Sequence, residues 1–219
     1  MVTSSLQDHN SLLAASAKTH LTPLGFKRKG RSRLWFKDMG WWLVVIEFQP
    51  SSWSKGSYLN VAAMWLWWAK DYWSFDEGGR VGDFREFKDN EQFSLAADQL
   101  ARAACAQAIA LEDRFNSVEA TATYLQSRIT QNPWSLYAAF AAALAARQAA
   151  LASQVSGQLQ ECPETAPWII DLKAKTRTLL QKVNLGESPR EVVAVEIQRC
   201  RELLKLPTKS LESLGATLT

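Results

Sequence analysis

Residues 41–73, WWLVVIEFQPSSWSKGSYLNVAAMWLWWAKDYW, hold seven of the ten tryptophans of the chain. No soluble fold leaves that many indoles in water, so whatever else the chain does must first cover this stretch. Strand alternation sets Trp42, Val44, Ile46 and Phe48 on one face and Trp41, Leu43, Val45, Glu47 and Gln49 on the other. The first face is apolar throughout and predicts contact with a core. After a turn at residues 50–56, Tyr58 to Trp68 reads as a second strand. Leu59, Val61, Ala63, Trp65 and Trp67 fall on one side of it, and Tyr58, Asn60, Ala62, Met64, Leu66 and Trp68 on the other. Both sides are largely apolar, and a sheet with two apolar faces needs two covers.

The remaining composition supports an ordinary packed protein. With 219 residues and 47% hydrophobic side chains there is ample material for a core. Three cysteines, Cys105, Cys162 and Cys200, lack CxxC spacing, which speaks against a disulfide framework or structural zinc and for a reducing compartment. The start of the chain has no basic segment followed by an apolar run. No long uninterrupted apolar window exists either, because Lys70, Asp71 and Arg147 interrupt the candidates. The expectation is a cytoplasmic protein without membrane insertion.

Residues 5–22 carry helical periodicity that Pro23 and Gly25 stop. The only histidines, His9 and His20, stand eleven residues apart on this helix, about 16 Å, too far to share a metal ion. The following GFKRKGRSRLWFKDMG, residues 25–40, sets Lys27, Arg28, Lys29, Arg31, Arg33 and Lys37 against the single carboxylate of Asp38. Asp38, Met39 and Gly40 form a turn signal, and Arg31 to Lys37 reads as an outer hairpin strand. Cations beside aromatic strands suit phosphates and bases; equally, lysine and arginine protect a sheet edge from aggregation.

LGFKRKG at residues 24–30, the strand ending in Gln49, SSW at 51–53 and LN at 59–60 resemble a bacterial family catalogued only as a domain of unknown function. Its pattern is GFxKKG, then Q-x-S-x-W, then a Y-x-x-N-like strand, and the resemblance spans roughly residues 6–68. It implies an α+β unit, brings no catalytic residue, and its bacterial range suggests an adaptor or sensor in conflict or defence systems. Glu47 and the Trp67-Trp68 pair depart from that pattern.

Residues 69–92 form a polar connector with seven carboxylates and four cations, and Gly78, Gly79 and Gly82 suit a loop. Its five aromatics, Tyr72, Trp73, Phe75, Phe84 and Phe87, predict that it folds over one side of the sheet. From Asn90 the pattern is helical, with a stripe of Phe93, Leu100, Ala104, Leu111 and Phe115. Asn116 with Glu119 and Ser188 with Glu191 read as capping boxes. Asn132-Pro133 starts a long helix reaching Val155, and Pro167 another. The starts keep no fixed period, so a helical solenoid is not expected.

The reading is α+β: an N-terminal helix and an antiparallel sheet of three or four strands over residues 1–89, a helical portion over 90–207, and a tail over 208–219. The first function class is a non-enzymatic protein that binds a protein partner or itself through Trp41, Trp53, Tyr58, Asn60, Trp65, Trp67 and Trp73, with no cofactor. A second is a nucleic-acid-binding protein using Lys27, Arg28, Lys29, Arg31 and Arg33. A third, weaker class is an enzyme in which Asp38 and the Glu47-x-Gln49 strand echo the carboxylates of metal-dependent nucleases.

Overall fold

The computed structural model describes residues 9–210, and the first four residues of the expected N-terminal helix and the end of the tail lie outside them. The protein is α+β, with an N-terminal helix, an antiparallel sheet and a helical C-terminal part. It divides into two compact units, Met1–Met64 with Ser74–Asp113, and Trp65–Trp73 with Arg114–Thr219. The division differs from a boundary at residue 90. The helix starting there belongs with the sheet, and the tryptophan-rich end of the second strand belongs with the later helices.

In the first unit, α1 (His9–Leu21) ends in a 3-10 turn, Thr22–Leu24, closed by Gly25 at φ +86°. The sheet follows: β1 (Lys27–Arg28), β2 (Leu34–Asp38), β3 (Trp42–Gln49), β4 (Gly56–Trp65), β5 (Glu77–Arg80) and β6 (Arg85–Glu86). Strand order is β1-β2-β3-β4-β5, with β6 pairing to the start of β4. Six strands form where periodicity predicts three or four, because β1, β5 and β6 have only two to four residues and show no alternation. The connector is thus partly sheet, adding strands to β4 rather than lying as a loop across a face.

The register puts Trp35 opposite Ile46 and Lys37 opposite Val44 on one face. On that face Trp42, Val44 and Ile46 have no exposed surface and Phe48 has 2%, as the alternation requires. It is roofed by α1 and by α2 (Asn90–Arg114): Lys37 Nζ meets Glu112 at 2.7 Å, and Cys105 Sγ donates to the His20 carbonyl. The α2 stripe of Phe93, Leu100, Ala104 and Leu111 is buried as its spacing predicts. The opposite face carries Leu43, Val45, Ala62 and Met64, also fully buried, and turns polar at Glu47, Gln49 and Asn60. The β2–β3 turn forms where Asp38-Met39-Gly40 signals it, with the Gly40 N–H donating to the Asp38 carboxylate at 2.9 Å.

Two glycines decide whether β4 can be paired along its free side. A Cβ at Gly78 (φ +126°) would stand 2.5 Å from the Val61 carbonyl oxygen, and one at Gly56 (φ +146°) 2.2 Å from that of Arg85. Both contacts are closer than real Cβ atoms tolerate, so backbone approach here depends on the missing side chain.

In the second unit the helices are α3 (Val118–Ser127), α4 (Pro133–Ala145), α5 (Ala149–Glu161), α6 (Pro167–Asn184) and α7 (Pro189–Leu203). All residues of α4 from Leu136 to Ala145 are buried, and the helix touches α3, α5, α6 and α7. Its alanines let neighbours approach from every side, which is the burial an all-round apolar helix requires. The single helix expected from 133 to 155 is two. Arg147 N–H donates to Leu144 O and Gln148 N–H to Ala143 O, a Schellman ending with Arg147 at φ +60°. Arginine stands where glycine usually marks this ending, which hides it in the sequence; Gly186, at φ +100°, marks the matching end of α6.

The expected capping boxes shift. The N-cap of α3 is Ser117, which accepts from the Ala120 N–H, and Ser188 caps α7 with no side-chain bond. Glu119 instead pairs with Arg190, whose Nε donates to the Ala145 carbonyl at the end of α4. Asn132-Pro133 opens α4 as predicted.

Gly78→Ala should lower the melting temperature by several degrees, through a clash and a strained φ worth about 1–3 kcal/mol. Arg147→Gly should raise it by about 1 kcal/mol equivalent, because the left-handed position no longer carries a Cβ. Thermal unfolding of the two variants checks the opposite signs.

Candidate functional site

The tryptophan stripe is largely core. Trp41, Trp65 and Trp67 keep 6, 4 and 2% of their surface exposed. In the second unit Trp65 and Trp67 stack at 4.9 Å between centroids, Phe115 meets Trp65 edge-on, and the Tyr137 hydroxyl donates to the Trp67 carbonyl at 2.9 Å. Burial pushes the Tyr137 phenol well above its usual range, so it stays a donor. The expectation that Trp65 and Trp67 share one strand face fails because β4 ends at Trp65, and no strand alternation continues past it. Trp73 is half-buried.

Of the expected binding residues Trp53 is exposed, Tyr58 and Asn60 are half-buried like Trp73, and Trp53, Tyr58 and Asn60 belong to the β3–β4 end of the first unit. Trp53 is 94% exposed on the connecting loop, while its backbone N–H is held by Ser51 Oγ at 3.1 Å. Beside this loop an open groove of about 550 Å³ is lined by His9, Asn10, Arg33 and residues 50–56. On the sheet, Asn60 Nδ2 donates to Glu47 Oε2 at 3.1 Å and to Gln49 Oε1 at 2.9 Å, and Arg80 Nη2 donates to the same Gln49 oxygen at 2.8 Å. The Arg80 guanidinium lies 3.8 Å from the centroid of the Tyr58 ring, and Phe84 packs against that ring at 4.8 Å. Glu47, Gln49, Tyr58, Asn60 and Arg80 thus make one ordered polar and aromatic patch. Arg80 escapes sequence reasoning because it sits in the glycine-bearing connector, whose two strands, β5 and β6, have only four and two residues.

The basic stretch is only partly available. Arg33 donates from Nε to Asn10, from Nη1 to the Phe48 and Gly56 carbonyls, and from Nη2 to Asn10 and His9, which uses its whole fork to tie α1 to the β3–β4 hairpin. Arg28 donates to the Ser32 and Arg31 carbonyls and closes the β1–β2 turn. Lys37 pairs with Glu112. Lys27, Arg28, Lys29 and Arg31 are the exposed cations of this hairpin, and Arg28 is the one whose guanidinium is engaged by the turn carbonyls.

The nuclease-like carboxylates do not converge. Asp38 pairs with Leu43 and Leu34 with Glu47, so the two acids stand four residues apart along the sheet, about 13 Å, and Asp38 is committed to its turn. Among the described residues no group of three or more His, Cys, Asp or Glu side chains is placed to hold a metal ion. His20 meets Asp98 at 2.5 Å and Arg102 meets it at 2.7 Å; the Arg102 bond first, then His20, hold the Asp98 carboxyl below its usual range. Burial raises the Cys105 thiol, the opposite of what an activated nucleophile needs. No described helix is long and apolar enough to cross a membrane.

No protein-family model matches the chain, and no curated protein or solved structure shows significant similarity to it. The site therefore rests on its own chemistry.

Trp65→Ala and Trp67→Ala should each cost about 3–5 kcal/mol, the range for emptying a buried aromatic position. Chemical denaturation measures this, and a loss below about 1 kcal/mol for either would place that indole outside the core.

Proposed function

We propose that the protein is a non-enzymatic binding protein, an adaptor or sensor, that docks a protein partner through the β3–β4 end of its sheet. The supporting observation is Trp53, a 94% exposed indole presented on the β3–β4 loop, with its own backbone N–H donating to Ser51 Oγ. Large aromatic anchors dominate binding energetics. The neighbouring Tyr58, Asn60, Gln49 and Arg80 supply an ordered set of donors and acceptors suited to the polar rim around such an anchor. Affinity capture from the native host, run side by side with wild type and Trp53→Ala, tests this. The partner should be retained by wild type and fall at least about 10-fold in the variant, with an unchanged melting temperature. A partner retained equally by both proteins contradicts the reading.

Nucleic-acid binding is the second reading, supported by the exposure of Lys27, Lys29 and Arg31 on one hairpin. It predicts a gel shift at about 50 mM salt that weakens steeply as salt rises and is lost in the triple alanine variant. Absence of any shift for wild type at that salt removes it.

A further inference from the structure

Within the first unit an open, mostly apolar groove of about 530 Å³ lies between α1 and β1. Phe26 and Trp35, 3 and 5% exposed, form its floor, and Ala14 and Ala15 of α1 line one wall. Around this apolar surface stand Lys18 from α1 and Lys27 and Arg28 from β1, all exposed, and among the described residues no carboxylate lines the groove. Neither lysine side chain makes a hydrogen bond or ion pair with a described residue. Arg28 donates from Nε and Nη2 to the Ser32 and Arg31 carbonyls, which fixes its charge in place.

Each cation has a local reason. Lys18, in the last turn of α1, complements the helix dipole, and Lys27 and Arg28 guard an edge strand. Those reasons leave out the depression that the three share. Like charges gathered at one apolar groove without an acid make its field positive, so its complement is an anion with an apolar body. What the walls lack narrows the choice further. An extended peptide needs partners for its amides, but α1 satisfies its own within the helix. In β1 the ladder bonds fall at Lys27 and Lys29, which leaves only Arg28 turned to the free edge. Thr22 is the one uncharged polar side chain of the lining. A polyanion would have to lay charge on the aromatic floor. An alkyl chain needs no hydrogen-bond partner, and a terminal carboxylate stays at the rim, where the long lysine stems keep their charges in water. The volume lies within the range of small-molecule sites.

We propose that the groove between α1 and β1 binds a fatty carboxylate, its chain over Phe26 and Trp35 and its headgroup among Lys18, Lys27 and Arg28. The site shares no lining residue with the groove beside Trp53 and stands independently of that reading.

Dodecanoate added to the full chain below its micelle concentration tests this, read by the indole Nε1–H resonance of Trp35 and by calorimetry. The Trp35 signal should move and saturate while that of Trp53 stays still. Dodecanoate should bind at least about 10-fold tighter than octanoate, because each buried methylene adds to the affinity. Lys18→Ala combined with Lys27→Ala should weaken binding at least about 10-fold, and Ala15→Phe, at an exposed helix position, should block it, both at unchanged melting temperature. Trp53→Ala should bind dodecanoate as wild type does. Dodecyltrimethylammonium bound as tightly as dodecanoate would mean that the surface selects grease and not charge, and would overturn the proposal. So would saturable binding that leaves Trp35 unmoved, or an acidic peptide or oligonucleotide that occupies the groove more tightly than dodecanoate.

Discussion

From Trp42 to Ile46 strand β3 has no polar side chain, and every residue of that run is removed from water on both faces of the sheet. An antiparallel sheet usually keeps one face wet; this one cannot, and the rest of the first unit follows from that. α1 and α2 are committed to the face of Trp42 and Val44, fixed there by the ion pair of Lys37 with Glu112 and by the Arg33 fork reaching Asn10 and His9. At about 25 cal/mol per Å² of apolar surface, burying these strands outweighs any single ion pair at their rim.

Such a sheet has little surface to offer a ligand except where its alternation turns polar. That happens at the end of β3, where Glu47 and Gln49 replace the aliphatic run, and on β4 at Asn60. The side chains there satisfy one another through Asn60 and Arg80, so the patch is ordered before anything binds. Next to it the hairpin loop exposes Trp53. In the second unit the central α4 is just as constrained, with alanine allowing four helices to close around it.

Much of this was legible in the sequence. Alternation in residues 42–49 and 58–65 located both long strands and their faces, the Asp38-Gly40 turn formed as read, and Pro133, Pro167 and Pro189 opened helices. What stayed hidden depends on contacts that carry no local signal. β5 and β6 exist because Gly78 and Gly56 let backbones approach, and α4 ends at Arg147 without a glycine to announce it. The site residues split along the same line. Trp53 is exposed and Tyr58, Asn60 and Trp73 are half-buried, whereas Trp41, Trp65 and Trp67 are core, because an indole at strand spacing looks the same in sequence whether it faces a partner or its own protein.

The protein keeps Trp65 and Trp67 for its own core and presents Trp53. Hydrogen exchange at the ten indole Nε1–H groups reads this residue by residue. Trp53 should exchange at close to the rate of a free indole, with Trp65 and Trp67 slowed by orders of magnitude and exchanging only through large-scale opening. Fast exchange at Trp65 or Trp67, or protection at Trp53 in the isolated protein, would contradict it.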